Sequence, residues 1–281
     1  MTSKEYFKKL DYEKYLKEHH IHELVDVNLD EYGDIHAKNV RPNYYSVDPT
    51  NHESFSPELD DLTRLHYLVT SRKVTTILEF GLGKSSIVFA DALMKNKTNY
   101  KDEVLKLRRS NPFEIHCIEN NLGWIENTRI NIKEKISDPD IVKLHYCPLE
   151  VSDFNGRMCT YYHNIPNVSP DLIYLDGPDQ FSAGGSLRGL GTNHPDRMPM
   201  SADILSIEHF LCPGTLIVTD GRTANARFLK CNLQRNWIYY HDYDIDQHFF
   251  ELIEEPLGVY NKDHIDFCLG PNWLKENKKY L

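Results

Sequence analysis

With 281 residues, 40% of them hydrophobic and 26% charged, the chain is long enough for one large α/β core and reads as soluble globular material rather than a fibrous or disordered chain. Its net charge of −10 repels a polyphosphate backbone, which disfavours nucleic acid as a partner. No stretch approaches the ~18 apolar residues of a membrane span, and the first twenty residues lack the apolar segment of a secretion signal. A cytoplasmic protein without membrane partners is expected. Six cysteines are scattered without a CxxC pair, and three of them, Cys117, Cys147 and Cys268, sit in apolar text that predicts buried thiols.

Residues 1–57 are polar and tyrosine-rich, with a helix expected over Lys4 to His20 and loop-like text from Asn43 to Pro57. They are expected to form an N-terminal extension or lid on a domain spanning 58–281. His19, His20 and His22 lack nearby cysteines or well-spaced acids and read as solvent-exposed rather than metal-binding. Ser56-Pro57 predicts a helix start, with Pro57 in the first helical position and the helix ending near Arg72. The chain then alternates. Strands are predicted over Val74 to Phe80, Phe113 to Glu119, Val142 to Cys147, Asp171 to Asp176 and Gly214 to Asp220, with helices over Ser85 to Met94, Leu122 to Ile136, Ala202 to Leu211 and Thr223 to Gln234. Trp237 to Tyr243 and His248 to Ile253 are separated by four polar residues, too few for a crossover, so they must pair antiparallel. The expected fold is α/β: a doubly wound, mostly parallel seven-stranded sheet, Rossmann-like, ending in an antiparallel hairpin. Lys95 to Pro112 reads as a solvated insertion. Phe181 to Pro199 is a Gly-rich loop after a strand's carboxyl end, where such sheets keep their ligands.

Glu79-Phe80-Gly81-Leu82-Gly83-Lys84-Ser85-Ser86 lies at the first strand-to-helix turn. Its glycines permit a tight turn and close ligand approach, beside the amides of a helix N-terminus. A P-loop is ruled out because Leu78 stands where its first glycine belongs. A dinucleotide fingerprint lacks its third glycine, replaced by Ser86, and its acid lies further on than usual, so this reading survives weakly.

From Pro57 to Gly270 the chain resembles the class I S-adenosylmethionine-dependent methyltransferases. The residues carrying the resemblance are an acid followed by G-x-G at the end of strand one (Glu79, Gly81, Gly83), an acid ending strand two (Glu119), Asp176 ending strand four, and the terminal hairpin. Ser85 stands where the family usually has a third glycine. The resemblance implies a cofactor site of Glu79, Gly81, Gly83, Ser85, Glu119 and Asp176, with Glu119 accepting the ribose hydroxyls. The Asn/Asp-Pro-Pro-aromatic tetrapeptide that the resemblance associates with base-amine methylation is replaced by Asp176-Gly177-Pro178-Asp179. The text around strands four and five looks like the branch that O-methylates small hydroxylated molecules, including sugars and nucleotide-linked sugars.

Arg188, His194 and Arg197 in the Gly-rich loop are candidates to contact the acceptor. Asp176 is the candidate general base or orienting group, with His194 in reserve. A divalent metal such as Mg would use Asp176 and Asp220, although Arg222 would repel a cation and Asn225 or Asp179 would have to complete the site. A small-molecule acceptor is the expected partner, and a homo-oligomer is left open. A non-catalytic S-adenosylmethionine-binding protein and an NAD-dependent oxidoreductase stay as alternatives.

Overall fold

The computed structural model describes residues 6–35, 57–194, 196–198, 200–277 and 279. Among them nine strands form: β1 (Thr76–Phe80), β2 (Glu114–Glu119), β3 (Val142–Tyr146), β4 (Leu149–Phe154), β5 (Arg157–Tyr162), β6 (Leu172–Leu175), β7 (Leu216–Asp220), β8 (Trp237–Asp242) and β9 (Gln247–Leu252). Seven build one sheet in the order β3-β2-β1-β6-β7-β9-β8. The first five of these run parallel; β9 enters antiparallel to both β7 and β8. The chain winds outward from β1 to β3 and then returns to place β6 on β1's other side. The connections that leave β1 and β6 therefore run to opposite faces of the sheet, the switch point at which doubly wound sheets keep their ligands.

Helices cover both faces. They are α1 (Tyr12–Glu18), α2 (Ile21–Leu24), α3 (Leu29–Tyr32), α4 (Leu59–Ser71), α5 (Lys84–Val104), α6 (Leu122–Lys135), α7 (Asp203–Ile207), α8 (Thr223–Asn232), α9 (Val259–Cys268) and α10 (Trp273–Asn277). Strand alternation divides the core. Ile77, Cys117, Tyr174 and Val218 pack toward α4, α5 and α6, while Leu78, Ile118, Ile173 and Ile217 pack toward α7, α8 and the β4–β5 pair. Cys117, Cys147 and Cys268 are buried free thiols, as their context predicts. Among the described residues no helix is long and apolar enough to cross a membrane.

Three sequence expectations need correction, and one segment gains elements that the sequence reading did not name. Helix α4 starts at Leu59, two residues after Pro57, because a side chain from elsewhere ends it: the Tyr32 hydroxyl takes the Leu59 N–H (3.4 Å) and donates to the Pro57 carbonyl (2.5 Å). Helix α5 runs ten residues past Met94 into the supposed insertion. That stretch holds neither Gly nor Pro before Val104, and buried Asn96 bolts it to α4 by donating to the Val69 and Val74 carbonyls. The crossover from β3 to β6, for which the sequence reading named no element, contains an antiparallel hairpin, β4–β5. Of the three clustered histidines only His20 is exposed; His19 stacks on Tyr15 at 4.0 Å, and burial lowers its pKa to about 4. The predicted helix start at Lys4 and the text from Asn43 to Ser56 lie outside the described residues.

Candidate active-site crevice

Glu79, Glu119, Asp176 and Asp220 each lie two residues beyond Ile77, Cys117, Tyr174 and Val218, the residues that face α4 and α5. Period-two alternation therefore brings all four acids to one face at the carboxyl ends of β1, β2, β6 and β7. Their environments then separate them.

Glu79 is wholly buried. Ser85 Oγ and Ser86 Oγ donate to its two oxygens, each at 2.6 Å, and Cys117 Sγ donates at 3.1 Å. Burial pushes its pKa up to about 7 even against these donors. Glu79 and Ser85 thus face each other and set the course of the β1–α5 turn. The turn's first glycine is dictated by backbone. Gly81 has φ +99°, and a Cβ there would lie 3.0 Å from Gly177 N, while a Cβ on Gly177 would lie 2.8 Å from Gly81 N. At Gly83 a Cβ would meet nothing within 4 Å, so the open space of the turn is there.

Glu119 Oε1 accepts the Asn120 and Asn121 amides at 2.8 and 2.9 Å, and Oε2 accepts no hydrogen bond from the described residues. Burial raises its pKa to about 7, with the Asn121 and Asn120 bonds opposing. A carboxylate held by its own chain on one oxygen and unengaged on the other is an acceptor presented to a ligand.

Asp176 and Asp220 lie across the crevice from that oxygen, and the structure brings to them a group that no sequence spacing indicated. Helix α4 contributes Asp61 and buried Arg64. Arg64 Nη1 bonds Asp60 (2.8 Å), Nη2 reaches Asp61 (3.4 Å), and the Gln247 amide, at the residue paired with Asp220, also donates to Asp61. Burial and the neighbouring Asp61 and Asp176 charges push the Asp220 pKa well above the carboxylate range; Arg64 opposes them. Burial likewise lifts Asp61 to about 7. Asp176 has 51% of its side-chain surface accessible, yet the surrounding protein raises its pKa, with Arg222 opposing. Accessible surface inside a protein wall is what the floor of a crevice has.

Arg222 precedes α8, donates to the Pro178 carbonyl at 2.8 Å, and lies 3.6 Å from Asp176 Oδ1. These residues do not fit a divalent metal. Wherever three His, Cys, Asp or Glu donors converge within 4.8 Å among the described residues, Asp176 and Asp220 are not among them. Asn225 is spent on the Ser201 backbone, and Asp179 Oδ1 accepts the Phe181 amide. The cation beside Asp176 is Arg222.

The Gly-rich loop is pinned at its start along the hairpin: Val151 donates to the Gly184 carbonyl (2.8 Å) and Gly184 to the Leu149 carbonyl (2.9 Å). His194 is exposed, with Nδ1 accepting the Asp196 amide; Arg197 donates to the Gly191 carbonyl, and Arg188 is exposed. Among the described residues no hydrogen bond or ion pair joins His194 to Asp176. Tyr162, at the end of β5, was missed in the sequence reading. Its ring packs 6.0 Å from Phe80, and its buried hydroxyl has no hydrogen-bond partner among the described residues, near enough to Glu119 and Arg222 to feel both charges.

No protein-family profile and no curated protein matches this chain. Among solved structures it is similar to the Podospora anserina methyltransferase PaMTH1 bound to S-adenosylhomocysteine, at 14% identity over 71% of this chain and 80% of that one, with a TM-score of 0.42. It is also similar to TomG from Streptomyces achromogenes, an O-methyltransferase of tomaymycin synthesis in complex with S-adenosylmethionine, at 15% identity over 72% and 82% of the chains, with a TM-score of 0.38.

Proposed function

We propose that this chain is an S-adenosylmethionine-dependent methyltransferase acting on a small hydroxylated acceptor, such as a sugar or nucleotide-linked sugar, in the cytoplasm, with residues 58–281 as the catalytic domain and 1–57 as its extension. The observation that carries the reading is the pairing, at the carboxyl ends of the adjacent strands β1 and β2 beside the switch point, of an open glycine turn at Gly83 with the unengaged Glu119 Oε2. The first leaves space for an adenosyl group and the second offers an acceptor for its ribose hydroxyls. When bound, the cofactor supplies a methyl group on a cationic sulfur whose charge disappears as the group is transferred.

Everything else is done by the chain. Methyl transfer is an in-line displacement, so holding the acceptor oxygen in line is the main task. Asp176, accessible at the crevice floor, accepts the hydroxyl proton while that oxygen bonds to the methyl carbon. Its pKa, raised by burial, brings the carboxylate closer to the range where a general base works best. Arg222 steadies the ionised form and keeps Asp176 aimed into the crevice. No step requires a metal. The overall negative charge makes nucleic acid and anionic membranes poor partners.

Ligand-induced stabilisation tests this reading. S-adenosylhomocysteine at 100 times its dissociation constant should stabilise the protein by about 2.7 kcal/mol. Glu119→Ala should weaken its binding about ten- to a hundredfold, since a hydrogen bond to a charged group is worth ~1.5–3 kcal/mol. A melting shift with NAD and none with either adenosyl compound would overturn the proposal in favour of an oxidoreductase.

A further inference from the structure

The hairpin that closes the sheet carries a second constellation, independent of the methyl-transfer reading. His241 on β8 and His248 on β9 are direct cross-strand partners, so both rings lie on one face of the sheet, stacked with centroids 3.8 Å apart. Asp246, at the end of the connecting turn, places Oδ1 3.6 Å from His241 Nε2. One ligand atom from each of the three lies within 4.8 Å of the others. The turn itself is held, because the Asp246 carbonyl accepts the Gly221 N–H at 2.8 Å just beyond β7.

Two observations separate this group from ordinary aromatic stacking. His241 Nε2 is buried with no hydrogen-bond partner among the described residues, in a side chain only 8% exposed, and it is the atom that faces Asp246. An unpaired buried nitrogen is a cost that a bound ion removes. His248, fully buried, has a hydroxyl against each ring nitrogen: Thr223 Oγ1 at 3.1 Å from Nε2 and the Tyr239 hydroxyl at 3.0 Å from Nδ1. Hydroxyls donate or accept equally well. Whichever nitrogen turns to an ion, the other has an oxygen to receive its N–H, the outer-shell arrangement that orients metal-bound histidines.

We propose that His241, Asp246 and His248 bind a divalent first-row transition ion of the zinc class. Imidazole donors select such ions over Mg or Ca, and two histidines with one carboxylate leave a further position for water. Ligands of a tetrahedral ion with ~2.0–2.1 Å bonds stand roughly 3.3 Å apart, close to the 3.6 Å between His241 and Asp246, and the two stacked rings tilt apart so that their in-plane lone pairs converge on the ion. The nearby positive charge felt by His248 is Arg227, which is exposed and can turn to solvent. The other cluster of potential ligands, Asp171, His264 and Cys268, differs in this respect: Arg109 Nη2 already sits 2.8 Å from Asp171 Oδ1, where a cation would go. Bound at the hairpin, an ion would tie its turn to the start of α8, the segment behind Arg222.

The test is a cobalt titration of the chelator-stripped, full-length protein. One equivalent of Co should bind, give a visible d–d band without a thiolate charge-transfer band, and be displaced by Zn. His241→Gln and Asp246→Asn should each weaken Co binding at least about tenfold. S-adenosylhomocysteine binding should stay unchanged in both, which keeps this outcome distinct from the fate of the methyltransferase proposal. In the wild-type protein, the ring-nitrogen resonances of His241 and His248 should shift together on one equivalent of Zn, a readout that needs no variant. Absence of stoichiometric binding, unchanged affinity in both variants, or ring resonances that do not move would each overturn the site and leave only a histidine stack.

Discussion

Strand β6 is four residues long and has an aspartate beyond each end, and the two aspartates live in opposite worlds. Asp171, at the amino end, accepts the Thr75 N–H and hydroxyl at 2.6 Å each and the Thr76 amide at 3.1 Å, with Arg109 and His264 at 2.8 and 3.3 Å. Burial alone would raise its pKa, but Arg109, His264 and these donors hold the carboxyl well below the usual range. Asp176, at the carboxyl end, has one cation at 3.6 Å, and burial wins. A saturated carboxylate is a clamp: here it joins the starts of β1 and β6 to the segment before β2. An under-saturated one in an accessible crevice keeps its proton affinity for use, which is where chemistry concentrates.

Three substitutions probe this contrast. Asp171→Ala should be the most damaging to the fold, because it strands Arg109 without its buried partner; removing one member of such a pair costs ~3–5 kcal/mol, read as a lower urea midpoint, while the folded fraction still binds S-adenosylhomocysteine normally. A loss below about 1 kcal/mol, the scale of an exposed pair, would mean that Asp171 is no clamp. Asp176→Asn should do the reverse, leaving the urea midpoint in place and reducing turnover by ~10²-fold or more. Full activity in that variant would remove Asp176 from the reaction.

The smallest effect is expected from Glu79, whose carboxyl is raised from 4.5 to about 7 by burial. Between these values the folded chain binds the proton more tightly than the unfolded chain. Its contribution to stability is therefore complete below about pH 4.5 and is lost as pH rises through about 7, with a slope of up to about 1 kcal/mol per pH unit. Glu79→Gln should flatten that part of the stability profile, and an unaltered profile would show that the three donors keep Glu79 ionised.

What could be read from the sequence was local. The strand-end acids and the terminal hairpin are consequences of period-two patterning and short connections, and the structure places them on one edge of one sheet as that patterning requires. The β4–β5 hairpin was also legible and was missed: Asn155-Gly156, with φ of +50° and +76°, is a two-residue hairpin turn with a well-known preference. Asp61, Arg64 and Gln247 had no such signal. Nothing in the spacing of residues 61, 220 and 247 says that α4 packs over the ends of β7 and β9; that is a product of how the whole sheet closes. Gly81 was legible as a glycine but for the wrong neighbour, since what crowds it is the backbone of Gly177.

That crowding has a mechanical consequence. The β1 turn and the turn after β6 meet main chain to main chain, with Gly177 N donating to the Phe80 carbonyl at 2.6 Å and Asp176 N to the same oxygen at 3.0 Å. No side chain lies between them to absorb a displacement by changing rotamer. The two turns behave as a single stiff plate, so a displacement of one is delivered undamped to the other.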